Sequence, residues 1–167
     1  MPLPLRQRVH PGVTLWWEQA PRVDMAAEAQ AALPHETGGL LLGWTSTSDI
    51  VITHTIGPGP GAEHQPTGFT PDRDWQYAQI DELYAESGRT LQYLGDWHTH
   101  PDGLPRPSAL DVSLLRKIAT TPESRCPRPV MGILANNANG IWSAAFHLYE
   151  PASRRGSRIS MLTVKVI

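Results

Sequence analysis

The sequence predicts a mixed α/β (α+β) domain, with one sheet of about six to eight strands flanked by helices. Three observations lead there. The length of 167 residues fits one domain spanning 1–167, because typical domains hold about 100–200 residues. Short runs rich in β-branched and aromatic residues alternate with helix-favouring runs, the pattern of strands and helices sharing one core. The hydrophobic share of 40% against 18% charged is that of an ordinary soluble domain, and no disulfide staple is needed at this size.

Residues 1–12, with Pro2, Pro4 and Pro11, read as an irregular leader. Val13 to Gln19 reads as a strand. Val23 to Leu33 is alanine-rich and helix-favouring, and Pro34 stops it. GGLLLGWTS (38–46) and DIVITHTIG (49–57) form two strands joined by a short turn. The segment 57–68, GPGPGAEHQPTG, has no period and reads as a loop. An amphipathic helix is expected over 71–87, with Thr70 as N-cap, Pro71 in its first turn and Trp75, Ile80, Leu83 and Tyr84 on its inner face. Gly88 ends it. A strand over 90–100 leads through the proline-rich loop 101–107 into a helix over 108–120. Residues 129–136 and 140–149 form a hairpin around Asn139-Gly140, and 158–166 close the chain as a strand.

Charge excludes some roles. A formal net charge of −2 gives no electrostatic reason for nucleic acid or a membrane as partner, and Arg154, Arg155 and Arg158 read as a solvated turn. The lone Cys126 allows no internal disulfide and has no partner pattern for nucleophilic catalysis. The opening MPLPLRQRVHPG holds no apolar run of signal-peptide length, and no stretch approaches 18 apolar residues, so the expected location is the cytoplasm.

The chemistry concentrates in GDWHTHP (95–101) and SALD (108–111). Residues two apart on a strand share a face, so His98 and His100 project together. The loop after them is the right length to return Asp111 over the strand end. Two imidazoles and a carboxylate are good zinc ligands, and catalytic zinc keeps three protein ligands with one open position. Each part has a plainer reading. Alternating histidines can be a polar surface face, Ser108 and Asp111 can cap a helix, and a glutamate near a turn is commonly just solvated. Glu36, in PHETGG (34–39), is the candidate general base, and Ser108 the candidate donor to a developing oxyanion. His35-Glu36 is not the start of a zincin motif, since Gly39 stands where the second histidine would be needed.

Glu36, His98-x-His100-Pro101 and Ser108-x-x-Asp111, with ten residues between His100 and Asp111, resemble the complete JAMM/MPN+ metalloprotease signature. The resemblance covers most of the chain in family order. It is strongest to compact bacterial Mov34/MPN/PAD-1 proteins, through PHETGGLLLG (34–43), VITHTIGPGP (51–60) and YLGDWHTHPDGLPRPSALD (93–111). It implies a cytidine-deaminase-like architecture and one Zn2+ per chain held by His98, His100 and Asp111. Glu36 would be general base and acid, and Ser108 the oxyanion donor. The implied reaction is hydrolysis after the diglycine tail of a ubiquitin-like modifier, free or conjugated. Some such proteins stand beside antiphage cyclic-nucleotide synthases and free the cyclase from a ubiquitin-like linkage. Processing of a ubiquitin-fold sulfur-carrier protein is an alternative client. A non-catalytic MPN binding scaffold is the alternative of another class.

The remaining histidines carry no assigned role. His35 is expected to face away from Glu36, His64 to be a surface residue of the loop, and His54 and His147 to be structural. Asp96 shares the histidine face, where either a hydrogen bond supporting a ligand or a solvent contact is open to it. Loops 57–68 and 102–107 flank the expected site, and a diglycine tail lying extended between them would gain main-chain hydrogen bonds.

Overall fold

In a computed structural model, residues 7–154 and 156–167 are described. In chain order the elements are β1 (Val9–Trp17), α1 (Gln19–Ala32), β2 (Gly38–Thr45), β3 (Asp49–Ile56), β4 (Glu63–Gln65), β5 (Gly68–Thr70) and α2 (Arg73–Glu86). There follow β6 (Gln92–His100), α3 (Ala109–Thr120), β7 (Val130–Asn136), β8 (Trp142–Ser153) and β9 (Gly156–Val166). Seven strands form one mixed sheet in the order β1-β3-β2-β6-β7-β8-β9, which closes because β1 also pairs with β9. The pairs β1–β3, β1–β9 and β6–β7 are parallel and the others antiparallel. Strands β4 and β5 make a separate two-stranded hairpin.

Alternation along β2 explains the layers. Leu41 enters the central core with Trp97, Leu94 and Phe146 and with Met25 and Ala29 of α1. Leu40 and Leu42 face the other way and pack under α2 with Ile56, Trp75, Ile80 and Leu83. Beside them Leu115 of α3 covers Met131, Ile133 and Tyr149. Fully burying a side chain such as Leu41 or Leu115 stabilises the fold by about 1.5–3 kcal/mol. Both helices therefore lie on the sheet face that carries the histidines.

A bulge decides which face that is. Leu94 lies in the central core, so strict alternation would send Asp96, His98 and His100 inward with it. Instead the β2–β6 register shifts, with Leu42 opposite Tyr93 but Leu41 opposite Gly95. Trp97 takes the core position and the histidines turn toward α3. The extra residue is Leu94, which has no partner on β2, and the chain turns at the next residue, Gly95, at φ +140°, where a Cβ would stand 1.9 Å from the Val130 carbonyl oxygen. Only glycine fits that bend.

Several sequence expectations change. Residues 1–6 lie outside the described residues, and Gln7 and Arg8 carry no regular structure, but 9–12 are not irregular, since β1 begins at Val9. Its register shifts between Val9 and Thr14, a bulge that accommodates the missing N–H of Pro11. Helix α1 starts four residues before Val23, because Pro21 falls in the first turn where no intrahelical donor is needed. The loop 57–68 contains β4 and leads directly into β5. Thr70 is consumed by that hairpin, so Asp72 caps α2 instead, accepting the Trp75 N–H at 3.2 Å. Tyr84 is exposed, and its expected inner place goes to Gln76, whose amide donates to the Gly57 carbonyl at 2.9 Å. Arg158 lies in β9 opposite Glu150 rather than in a turn, and Arg155 lies outside the described residues. Among the described residues no helix is long and apolar enough to cross a membrane.

Candidate metal centre

His98 and His100 project from the end of β6, and Asp111 reaches them from the first turn of α3. His98 Nε2 is 3.0 Å from His100 Nε2 and 3.2 Å from Asp111 Oδ1, and His100 Nε2 is 3.6 Å from Asp111 Oδ2. Tetrahedral bonds of about 2.0–2.1 Å place donor atoms about 3.3–3.4 Å apart, so this spacing fits a small divalent ion. His98 and Asp111 are each 8% exposed, and His100 is half-buried. The tautomer also fits. His100 Nδ1 donates to the Leu104 carbonyl at 3.0 Å, which leaves the Nε2 lone pair turned toward its companions.

Asp111 combines the two readings open to it from sequence. Ser108 Oγ accepts the Asp111 N–H at 3.2 Å, and Asp111 Oδ2 accepts the Ser108 N–H at 2.6 Å, a reciprocal capping box. The same carboxylate faces both imidazoles. Burial alone would raise its pKa, but hydrogen bonds with His100 and His98, the charge of His98 and the Ser108 N–H hold it well below the carboxylate range. His100 is raised, first by its hydrogen bond to Asp111 and then by the Leu104 carbonyl and the Asp111 and Glu36 charges, against the effect of burial.

Glu36 lies in the turn between α1 and β2 and shares a cavity of about 330 Å³ with His98, His100, Ser108 and Asp111. Burial raises its pKa, the two histidines lower it and Asp111 raises it, so all three donors act on the carboxylate. The next residue fastens the turn. Thr37 N–H donates to Thr99 Oγ1 at 3.0 Å, Thr99 N–H returns to the Thr37 carbonyl at 2.9 Å, and Thr37 Oγ1 donates to Glu28 at 2.8 Å. Thr99 stands between the two histidines on β6, so the turn and the donors are tied at one point. Close approach is needed here as well: a Cβ on Gly38 would stand 2.2 Å from the Trp97 carbonyl oxygen.

The five residues expected from sequence thus line one cavity. Asp96 does not bond a histidine; burial raises its pKa, and it accepts the Tyr93 hydroxyl at 2.6 Å. His64 is not a plain surface residue, because its Nδ1 donates to the Glu36 carbonyl at 2.9 Å. His147 is buried, with burial lowering its pKa to about 4, and His54 is exposed. Sequence reasoning missed the Thr37–Thr99 tie and the bulge at Gly95. The bulge had a signal. Leu94 and Trp97 are both core residues three apart, a parity conflict that alternation cannot satisfy and a glycine between them can.

The family described as prokaryotic homologs of the JAB domain matches residues 19–148. A probable metalloprotease, y4qB, of Sinorhizobium fredii is 40% identical over 122 residues, 72% of this chain and 74% of its own length. A CD-NTase/cGAS isopeptidase of Escherichia coli is 34% identical over 89 residues, 52% of this chain and 57% of its own. The solution structure of protein DSY2949 from Desulfitobacterium hafniense shares the fold at TM-score 0.68 and 21% identity, covering 92% of this chain and 93% of that one.

Proposed function

This chain belongs to the prokaryotic JAB-domain family and is a JAMM-type hydrolase, and from that premise we propose that it is a zinc-dependent isopeptidase or peptidase cleaving after the C-terminal diglycine tail of a ubiquitin-like modifier. The observation that carries the reading is the placement of Glu36 in the same cavity as a three-donor cradle spaced for a tetrahedral ion. His98, His100 and Asp111 would hold one zinc ion. When bound, zinc supplies Lewis acidity that makes water a nucleophile near neutral pH.

The chain's own groups then have separate tasks. Glu36 takes the proton from the attacking water on its carboxylate and delivers it to the leaving amine. Ser108 Oγ already receives the Asp111 N–H, so its own hydrogen is free to donate to the oxyanion that forms on the attacked carbonyl. Leu40, Phe69 and Leu114 give the cavity apolar walls, with the exposed Leu110 beside them, and an extended tail of glycines passes between them without side chains to obstruct it.

The name of the Escherichia coli relative supports a conjugated CD-NTase-type cyclase as the client, with the antiphage setting implied by the family resemblance. A cytoplasmic site of action follows from that client, and the free, buried thiol of Cys126 is compatible with it. The test is incubation of the zinc-loaded protein with ubiquitin-like proteins and their conjugates, with product masses measured with and without a chelator. Release of a modifier ending in diglycine, abolished by the chelator, is expected. Binding without cleavage of any conjugate by the loaded protein would replace the enzyme reading with a scaffold.

A further inference from the structure

The hairpin β4–β5 pairs Glu63 with Thr70, His64 with Phe69 and Gln65 with Gly68, and it belongs to no larger sheet. Its base is closed at α2, where Asp72 N–H donates to the Pro58 carbonyl at 2.8 Å and the Asp72 carboxylate accepts the Gly61 N–H at 3.0 Å. Its other attachment is the turn that carries Glu36. The Glu36 N–H donates to the Gln65 carbonyl at 2.9 Å, and His64 Nδ1–H donates to the Glu36 carbonyl at 2.9 Å. Both main-chain polar groups of Glu36 are therefore satisfied by two adjacent residues of the hairpin. The His64 ring lies nearly parallel to that of its cross-strand partner Phe69, at 13° with centroids 6.1 Å apart, and Phe69 lines the cavity.

We propose that His64 is a positioning residue for Glu36: from the hairpin its ring fixes the Glu36 main chain, so that the cavity wall and the base are held as one unit. The catalytic consequence rests on the proposed hydrolase reading. Thr37 is already bound to Thr99 of β6, so Glu36 is held from both sides, by the metal-bearing strand on one and by the hairpin on the other. Without His64 the Glu36 carbonyl loses its donor, and one hydrogen bond, from Glu36 to Gln65, remains as a pivot. The carboxylate then samples orientations away from the attacking water, while the three metal donors and the apolar walls stay in place.

The test compares the full chain, zinc-loaded, as wild type, His64→Ala, His64→Asn and, as a histidine control, His54→Ala. Asparagine offers an N–H the same number of bonds from the main chain as imidazole Nδ1. Two readouts are taken: steady-state cleavage of a conjugate, and residue-resolved amide hydrogen exchange at Glu36 with the Thr37 amide as internal reference. His64→Ala is expected to lose about tenfold in kcat, the worth of one hydrogen bond, with KM within about twofold and zinc content unchanged. Its Glu36 amide exchanges about tenfold faster relative to Thr37. His64→Asn restores both, and His54→Ala alters neither. Unchanged exchange at Glu36 in His64→Ala, or failure of His64→Asn to restore protection, overturns the proposal. If His64→Ala does not fold, His64→Asn still decides through its exchange pattern. The exchange measurement needs no substrate, so a wild type that cleaves nothing removes the hydrolase reading while the clamp is judged on its own.

Discussion

The three proposed metal donors and the proposed base, Glu36, occupy the same cavity but are held by different kinds of structure. His98, His100 and Asp111 hang from a strand and a helix whose own hydrogen bonds fix them, with the Ser108–Asp111 capping box locking the helix start. Glu36 lies in a turn, positioned by two bonds from the β4–β5 hairpin and one residue away from the Thr37–Thr99 tie. Periodic structure thus aims the donors, while long-range contacts aim the base. Metal loading and catalysis should accordingly come apart under mutation.

The largest expected effect is at Asp111. Asp111→Ala removes a donor and half of the capping box together. Even changes to groups that merely support a ligand cost 10–100-fold in affinity, so zinc binding should weaken by about 100-fold or more, with cleavage lost in parallel. Metal content by elemental analysis checks it, and a variant that keeps stoichiometric zinc would break the cradle as described. Glu36→Ala, on the other side, should keep its zinc while losing about 10²–10⁴ in rate. A variant with wild-type turnover would show that the turn does not carry the base. Ser108→Ala is intermediate, because its hydroxyl serves both sides. Its rate should fall about 10²–10³ if the oxyanion role holds, and stability by about 1 kcal/mol from the lost cap. Loss of stability alone, measured by denaturant unfolding, would reduce Ser108 to a helix cap.

The smallest effect is in pH. In metal-free protein the His100 pKa is raised, chiefly by Asp111, so its stabilising contribution is complete below about 6.5 and is lost as pH rises through the raised value. The Asp111 pKa is depressed, so its contribution is complete above about 3.9 and is lost as pH falls. Their pairing is therefore strongest between those limits, and the metal-free Tm should decline as pH rises above that window. Zinc needs neutral imidazole, so loading should strengthen over the same rise and reverse the trend. A loaded and an unloaded protein with parallel Tm profiles would uncouple His100 from the metal.

The donors were legible because each rests on a short-range rule. The spacing of His98 and His100 is the strand repeat, and Ser108 and Asp111 sit at capping-box spacing. The hairpin over 63–70 was hidden by its brevity: three-residue strands leave no measurable alternation, and Pro66 and Gly68 read as loop. The cap of α2 was misplaced for a related reason. Thr70 and Asp72 are both competent N-caps, and only the pairing of Thr70 with Glu63 selects Asp72. His64 looked unremarkable because its partner is the main-chain carbonyl of Glu36, 28 positions away, and carbonyls are the same at every residue.

Alone, the sequence determined which functional groups exist, the order in which the chain presents them, and the local geometry that sends His98 and His100 to one side of a strand. Tertiary structure decided which side that is, through the bulge at Leu94-Gly95 against β2, and it decided that Glu36 would meet the donors at all. The physical reason is range. Alternation and capping act over two to four residues and are written locally, whereas strand phase and the meeting of distant groups follow from the one closed packing of the sheet that satisfies all its hydrogen bonds and buries its core together.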